Sequence, residues 1–128
     1  MAAAITRVGT TQRWSDVVIH NGTLYAVEVP ATEEADIHQQ TREVLGSLQR
    51  LLEANGSGVD KILMANIYLK DIADIAAFNE QWDAWIPAGT APVRACVQAR
   101  LAHEGLKVRC THAQTVADAD SCTHTQVD

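Results

Sequence analysis

The segment GTAPVRACVQARL, residues 89–101, sets a guanidinium two residues from a thiol on a stretch that otherwise alternates like a strand. The odd positions Val93, Ala95, Val97, Ala99 and Leu101 are apolar; the even ones are Arg94, Cys96, Gln98 and Arg100. A period of two separates the two faces of a strand, so Arg94 and Cys96 share one. Hydropathy assigns the apolar set to the core and turns the polar set elsewhere. There Arg94 is either a solvated strand arginine or the floor of an anion site. Its planar fork of donors matches a carboxylate, so a small organic acid is the ligand chemistry it fits. For Cys96, no histidine or acid in the sequence is placed to deprotonate it. The residue reads as packing and backbone contact rather than as a nucleophile.

A second arginine, Arg109, lies on the next apolar run, LKVRCTHA (106–113). If the two runs form a hairpin through Ala102–Gly105, Leu101 pairs with Leu106 and Gln98 faces Arg109. That register puts Arg94, Cys96, Gln98 and Arg109 on one face, and a slip of one residue would bury Arg109. Arg94 then lies four residues along the strand from Gln98, about 13 Å away. Two arginines so far apart grip one small molecule only if a neighbouring subunit brings its own copy alongside. Arg109 is open between ligand contact and a salt bridge.

Other groups offer chemistry that weighs less. Two C-T-H triplets, Cys110–His112 and Cys122–His124, place a thiol and an imidazole two residues apart, but C-x-H twice is not a zinc spacing, and no metal is expected. The acidic pairs Glu33/Glu34 and Asp71/Asp74 read as helix starts, where carboxylates oppose the helix dipole. His20, His38 and His103 read as surface residues.

Around these residues the sequence predicts a short run of elements. WSDVVIH (14–20) and TLYAVEV (23–29) flank Asn21-Gly22, a strong two-residue hairpin signal because both residues accept positive φ. Residues 3–8 are a weaker strand. Pro30 ends the second strand, and a helix capped by Thr32 carries Ile37, Val44, Leu45, Leu48, Leu51 and Leu52 at helical spacing to Asn55-Gly56. KILMANIYLK (61–70) alternates again, with Leu63, Ala65, Ile67 and Leu69 on one face. Asp71 caps a second helix bearing Ile75, Phe78, Trp82, Trp85 and Ile86. The order β-β-α-β-α-β-β predicts an α+β sandwich, a mixed sheet with two helices on one face. The second face of strand 61–70, with Ile62, Met64, Asn66 and Tyr68, is semi-apolar, and a bare face of that kind meets another subunit.

At 128 residues the chain is one domain, assigned to 1–115, followed by a small polar tail, 116–128, read as disordered. A net charge of −6 opposes a nucleic-acid footprint. Three cysteines without a C-x-x-C pair fit free thiols in a reducing cytoplasm. No signal peptide or membrane span is visible.

Taken in order, RWSDVVIHNGTLY, FNEQWDAW and APVRACVQARL resemble the reactive intermediate deaminase family (Rid, YjgF- or RutC-like), closest to its YoaB-type branch, over about residues 12–113. The resemblance implies a chorismate-mutase-like fold, a homotrimer, and clefts between subunits that bind small carboxylates. It also implies cofactor-independent hydrolysis of enamine or 2-imino acids to 2-oxo acids and ammonia. Carried over residue by residue, the family's substrate arginine falls on Arg94, its neighbouring cysteine on Cys96, its early aromatic on Trp14 and its helix asparagine on Asn79. Trp14 by itself suits the core or a pocket wall equally. Two positions depart from the pattern. The family's last-strand Glu falls on Arg109, and a Gly at the end of its second strand falls on Glu28. The expectation drawn from that exchange is that Glu28 reaches Arg109 across the cleft and restores a catalytic carboxylate; mutual neutralisation in a drifted pocket is the alternative.

Overall fold

The computed structural model of the protein describes residues 4–116. The part of the expected tail beyond Val116, with Cys122 and His124, lies outside the described residues.

Local chemistry sets most of the elements. β2 (Val17–His20) and β3 (Thr23–Glu28) form the expected hairpin, with Asn21 at φ 51° and Gly22 at φ 74°, the left-handed pair that a tight antiparallel turn requires. The weak N-terminal strand also forms, as β1 (Thr6–Val8) against β2. Helix α1 runs from Ile37 to Ala54, beginning five residues after Thr32. Its cap is therefore Asp36, whose carboxylate accepts from the Gln39 N–H at 2.8 Å, and not Thr32. The reason lies in Gln40: buried on the helix's first turn, it donates to the carbonyls of Thr32, Ala35 and Gly105 and holds that segment outside the helix. Thr32 instead gives its N–H and hydroxyl to Glu43. Strand β4 (Ile62–Leu69), helix α2 (Ile75–Trp85), β5 (Val93–Gln98) and β6 (Val108–Thr115) complete the chain, α2 being preceded by a single 3-10 turn that Asp71 opens.

All six strands join one sheet in the order β1-β2-β3-β6-β4-β5, with α1 and α2 on one face, an α+β fold as expected. Two expectations about it are corrected. First, β5 and β6 are not a hairpin. β5 runs parallel to β4 at the sheet edge, Ala65 beside Arg94 and Ile67 beside Cys96, while β6 lies antiparallel between β3 and β4. In the centre, β6 pairs along both edges, with β3 and β4, and buries Val108, Cys110, His112 and Gln114 under the helices. Second, an irregularity between Ile62 and Met64 lets Ile62 turn inward and leaves Leu63 exposed, before Ala65, Ile67 and Leu69 resume the core face.

The core sits between the sheet and the helices: Val44, Leu45, Leu48, Ala65, Ile67, Leu69, Phe78 and Val108. The opposite sheet face is open. It carries Tyr25, Val27, Met64, Val93 and Val97, all exposed, and the first three line a depression of about 370 Å³ together with Ser15, Asp16, Asn66 and Thr111.

Candidate functional site

Because β5 pairs with β4, its faces are the reverse of the hydropathy assignment. Val93 and Val97 are 66% and 47% exposed on the open face, and Arg94 and Cys96 turn half-buried toward the helix layer. The Arg94 guanidinium lies under α2, 5.2 Å from the ring centre of Trp82 and 5.9 Å from that of Phe78. Those two rings stack on each other, 5.9 Å apart and inclined by 28°. Their electron-rich faces hold the cation in place without neutralising it. Among the described residues no carboxylate approaches Arg94 within 4 Å. A fixed, partly desolvated guanidinium with no internal counter-charge is equipped to take an external carboxylate.

Asn79 follows Phe78 on α2, three residues before Trp82, so it belongs to the same side of the helix; its Oδ1 is buried without a partner. Cys96 packs against the core, and burial pushes its thiol up from the ordinary range, a rise that the Arg94 charge partly offsets. Cys110, fully buried, is pushed up to about 12 by burial and then by the charge of Glu28, with Arg94 opposing. Both stay thiols at neutral pH.

The other site residues expected from sequence lie elsewhere in the protomer. Arg109 is on the open face, its guanidinium 4.7 Å from the ring centre of Tyr68 and its Nε buried and unpartnered. It therefore shares no face with Arg94, because it pairs across β4 with Tyr68 rather than across a hairpin with Gln98. Glu28 does not reach Arg109 either. Its carboxylate points under α1, accepting from the Ser47 hydroxyl at 2.6 Å and lying 2.9 Å from Nε2 of His112. His112 in turn contacts Gln114 Oε1 at 2.7 Å through Nδ1. Ser47 bonds the carboxylate and not the imidazole, so it lacks the link that activates a nucleophilic serine.

Trp14 is 59% exposed, which removes the core alternative. Thr11 fastens its loop: the Thr11 N–H donates to the Trp14 carbonyl at 2.7 Å, and Thr11 Oγ1 accepts from the Arg13 and Trp14 N–H groups. Trp14 enters β2, four strand spacings from β5, about 19 Å, so one protomer cannot bring Trp14 and Arg94 to one ligand.

Sequence reasoning placed Phe78 and Trp82 only in the core. Their spacing at i and i+4 opposite an arginine strand was the available signal for a cation cradle. It also passed over His112 as more than half of a C-x-H pair. Cys110 and His112 do share a face, but among the described residues no three potential ligands gather to hold a metal. No helix there is long and apolar enough to cross a membrane.

Residues 4–111 match the family described as Endoribonuclease L-PSP. The chain is 49% identical over 104 residues to the RutC family protein YoaB of Escherichia coli, covering 81% of this chain and 91% of that one. A RutC family protein of Haemophilus influenzae is 42% identical over 106 residues, covering 81% and 91%. Among solved structures, a member of the YjgF protein family from Neisseria meningitidis superposes with a TM-score of 0.82 at 40% identity, over 91% of this chain and 98% of that one.

Proposed function

The chain belongs to the Endoribonuclease L-PSP family, which takes in the RutC and YjgF proteins, and on that footing we propose that it binds a small organic carboxylate through Arg94 and hydrolyses 2-imino or enamino acids to 2-oxo acids and ammonia. The observation that carries this reading is the Arg94 guanidinium, cradled by Phe78 and Trp82 with no carboxylate within 4 Å among the described residues. A bidentate grip on the carboxylate orients the planar C=N group as well as binding it. Water adds to the imine carbon, a proton moves to nitrogen, and the carbinolamine collapses to ammonia and the 2-oxo acid. No cofactor enters that balance. Glu28 is not assigned the water, because its carboxylate is buried and engaged by Ser47 and His112.

The assembly proposed is a homotrimer in a reducing cytoplasm, where Cys96 and Cys110 remain free thiols. Two observations support association. The open sheet face exposes Tyr25, Val27, Met64, Val93 and Val97 together, and Trp14 can meet an Arg94 only on another copy. A net charge of −6 works against ribonuclease action on a polyanion.

A second reading, a non-catalytic sensor of 2-oxo acids, is favoured by Arg109, a base standing where the Rid resemblance places a glutamate. One experiment separates the two. With 2-aminoacrylate generated enzymatically, wild type should accelerate imine loss, and Arg94→Ala should lose about 2–3 kcal/mol of that acceleration, roughly 30- to 150-fold. Binding of 2-oxobutyrate without any acceleration would establish the sensor instead.

A further inference from the structure

β4 and β5 are the only parallel pair among the described residues, and their carboxyl ends lie side by side at one end of the sheet. Beyond those ends the two continuations part. The chain leaving β4 enters the 3-10 turn and α2, whereas the chain leaving β5 must cross the end of β4 to reach β6 on its far side. The Lys70 N–H, bonded to the Lys107 carbonyl at 2.9 Å, holds that crossing against the strand end. Diverging loops at the carboxyl ends of parallel strands leave a crevice that side chains enter from two directions, which suits it to ligands. Here it is a cavity of about 460 Å³, lined by Lys70 and Gln98 at the strand ends and by Arg100, His103 and Glu104 on the crossing loop.

Donors outnumber acceptors in this cavity. Lys70 and Arg100 are cations, and the His103 ring carries an N–H in either tautomer. Gln98 Oε1 accepts from the Ile72 N–H at 2.9 Å, so the NH2 of the same amide has no partner among the described residues. The crossing loop is tied by two backbone bonds, Ala99 N–H to the Leu69 carbonyl and Leu106 N–H to that of His103. Between them, no N–H of residues 100–105 meets an acceptor among the described residues. The one carboxylate lining the cavity is Glu104, which lies 3.5 Å from both Lys70 Nζ and Arg100 Nη2. Charge-assisted bonds run to about 2.7–2.9 Å, so these contacts are loose, and the Glu104 side chain is 74% exposed. The next acid in the chain, Asp71, is turned to cap the 3-10 turn.

We propose that this cavity binds the phosphate group of a small molecule, with Lys70 and Arg100 on its oxygens and Glu104 displaced into solvent. A phosphate carries more than one negative charge near neutral pH and offers several acceptor oxygens, which a cavity rich in donors can satisfy together. A monocarboxylate would leave most of those donors unused. The site is separate from the one proposed around Arg94. Arg94 precedes Gln98 by four residues on β5, about 13 Å along the strand, and its guanidinium lies under α2. The phosphate site therefore does not rest on the imine-hydrolysis reading.

Calorimetric titration of the full chain with inorganic phosphate and with pyrophosphate, at fixed ionic strength and pH 7, tests this. At least one probe should bind, and amide NMR shifts should move at Gln98 and across residues 100–105. Stronger binding of pyrophosphate points to a phosphorylated metabolite, and stronger binding of phosphate to the free ion. Arg100→Ala changes a side chain that is 90% exposed, so the fold is spared, and affinity should drop on the order of ten-fold. Lys70→Gln should cost as much. Glu104→Gln removes the competing carboxylate and should tighten binding roughly three-fold. No binding of either probe at millimolar concentration overturns the proposal, as does an affinity indifferent to both Arg100→Ala and Lys70→Gln. Binding abolished by Arg94→Ala would put the probe at Arg94 and overturn it too.

Discussion

Arg94 and Arg109 each lie over aromatic rings, yet on opposite faces of one sheet, and the two faces are built by different rules. On the helix-covered side, Arg94 sits beneath Phe78 and Trp82, in a layer where Ser47, Glu28, His112 and Gln114 form a run of hydrogen-bonding contacts. On the open side, Arg109 lies over Tyr68 on a face whose apolar residues are left exposed among the described residues. An identical side chain is thus half-buried on both faces, against helix-borne rings in one place and against a strand tyrosine in the other. The lesson is that rings of the protomer's own helix layer surround Arg94, whereas Arg109 has for neighbours an apolar face left exposed among the described residues.

The largest effect should come from the open face. Val97→Asp puts a carboxylate into the exposed patch, and native mass should fall from the oligomer to a single chain while circular dichroism stays native. An unchanged oligomer would mean that this face does not hold copies together. Next comes the covered face, where Phe78→Ala removes a fully buried ring. It should cost about 3–5 kcal/mol in denaturant unfolding, whereas Tyr25→Ala, half exposed, should cost well under half as much at protein concentrations where single chains prevail. Equal losses would erase the distinction between the faces.

A smaller contrast concerns the arginines themselves. Arg109→Ala should change 2-oxobutyrate affinity by no more than about three-fold, against the much larger loss on removing Arg94. A comparable loss would mean that neighbouring copies bring the two guanidinia to one ligand. The smallest effect at neutral pH is that of Cys110, since its thiol is protonated in both folded and unfolded chains. The fold raises its pKa to about 12 from an ordinary value of 9.0, so the stabilisation is intact below pH 9 and is lost as pH climbs toward 12. Unfolding measured from pH 8 upward should show that decline, and Cys110→Ala should flatten it.

Much of the architecture was legible in the sequence because it is written in short-range chemistry. Asn21-Gly22 specifies its turn through two residues that tolerate positive φ, and the apolar spacing from Ile37 to Leu52 specifies the face of α1. The P-x-R-x-C segment singled out Arg94, and the structure sets the rings of Phe78 and Trp82 around its guanidinium. The hairpin of β5 with β6 was misread because loop length constrains a register only if the two strands are partners at all. Likewise, Thr32 has the right chemistry for a cap, but Gln40 and Gly105, far apart in sequence, decide that Asp36 takes the position.

Alternation along 93–101 established, from residue types alone, that Arg94 and Cys96 lie on one side of a strand and the valines on the other. Which side the helices would cover was decided only in three dimensions. β5 runs parallel beside β4, and the register between them carries Arg94 into the row of Ala65, whose side is already the core. A period of two says that two faces differ; it holds no information on what will be packed against either, and a strand's apolar side can as well await another chain as line its own interior.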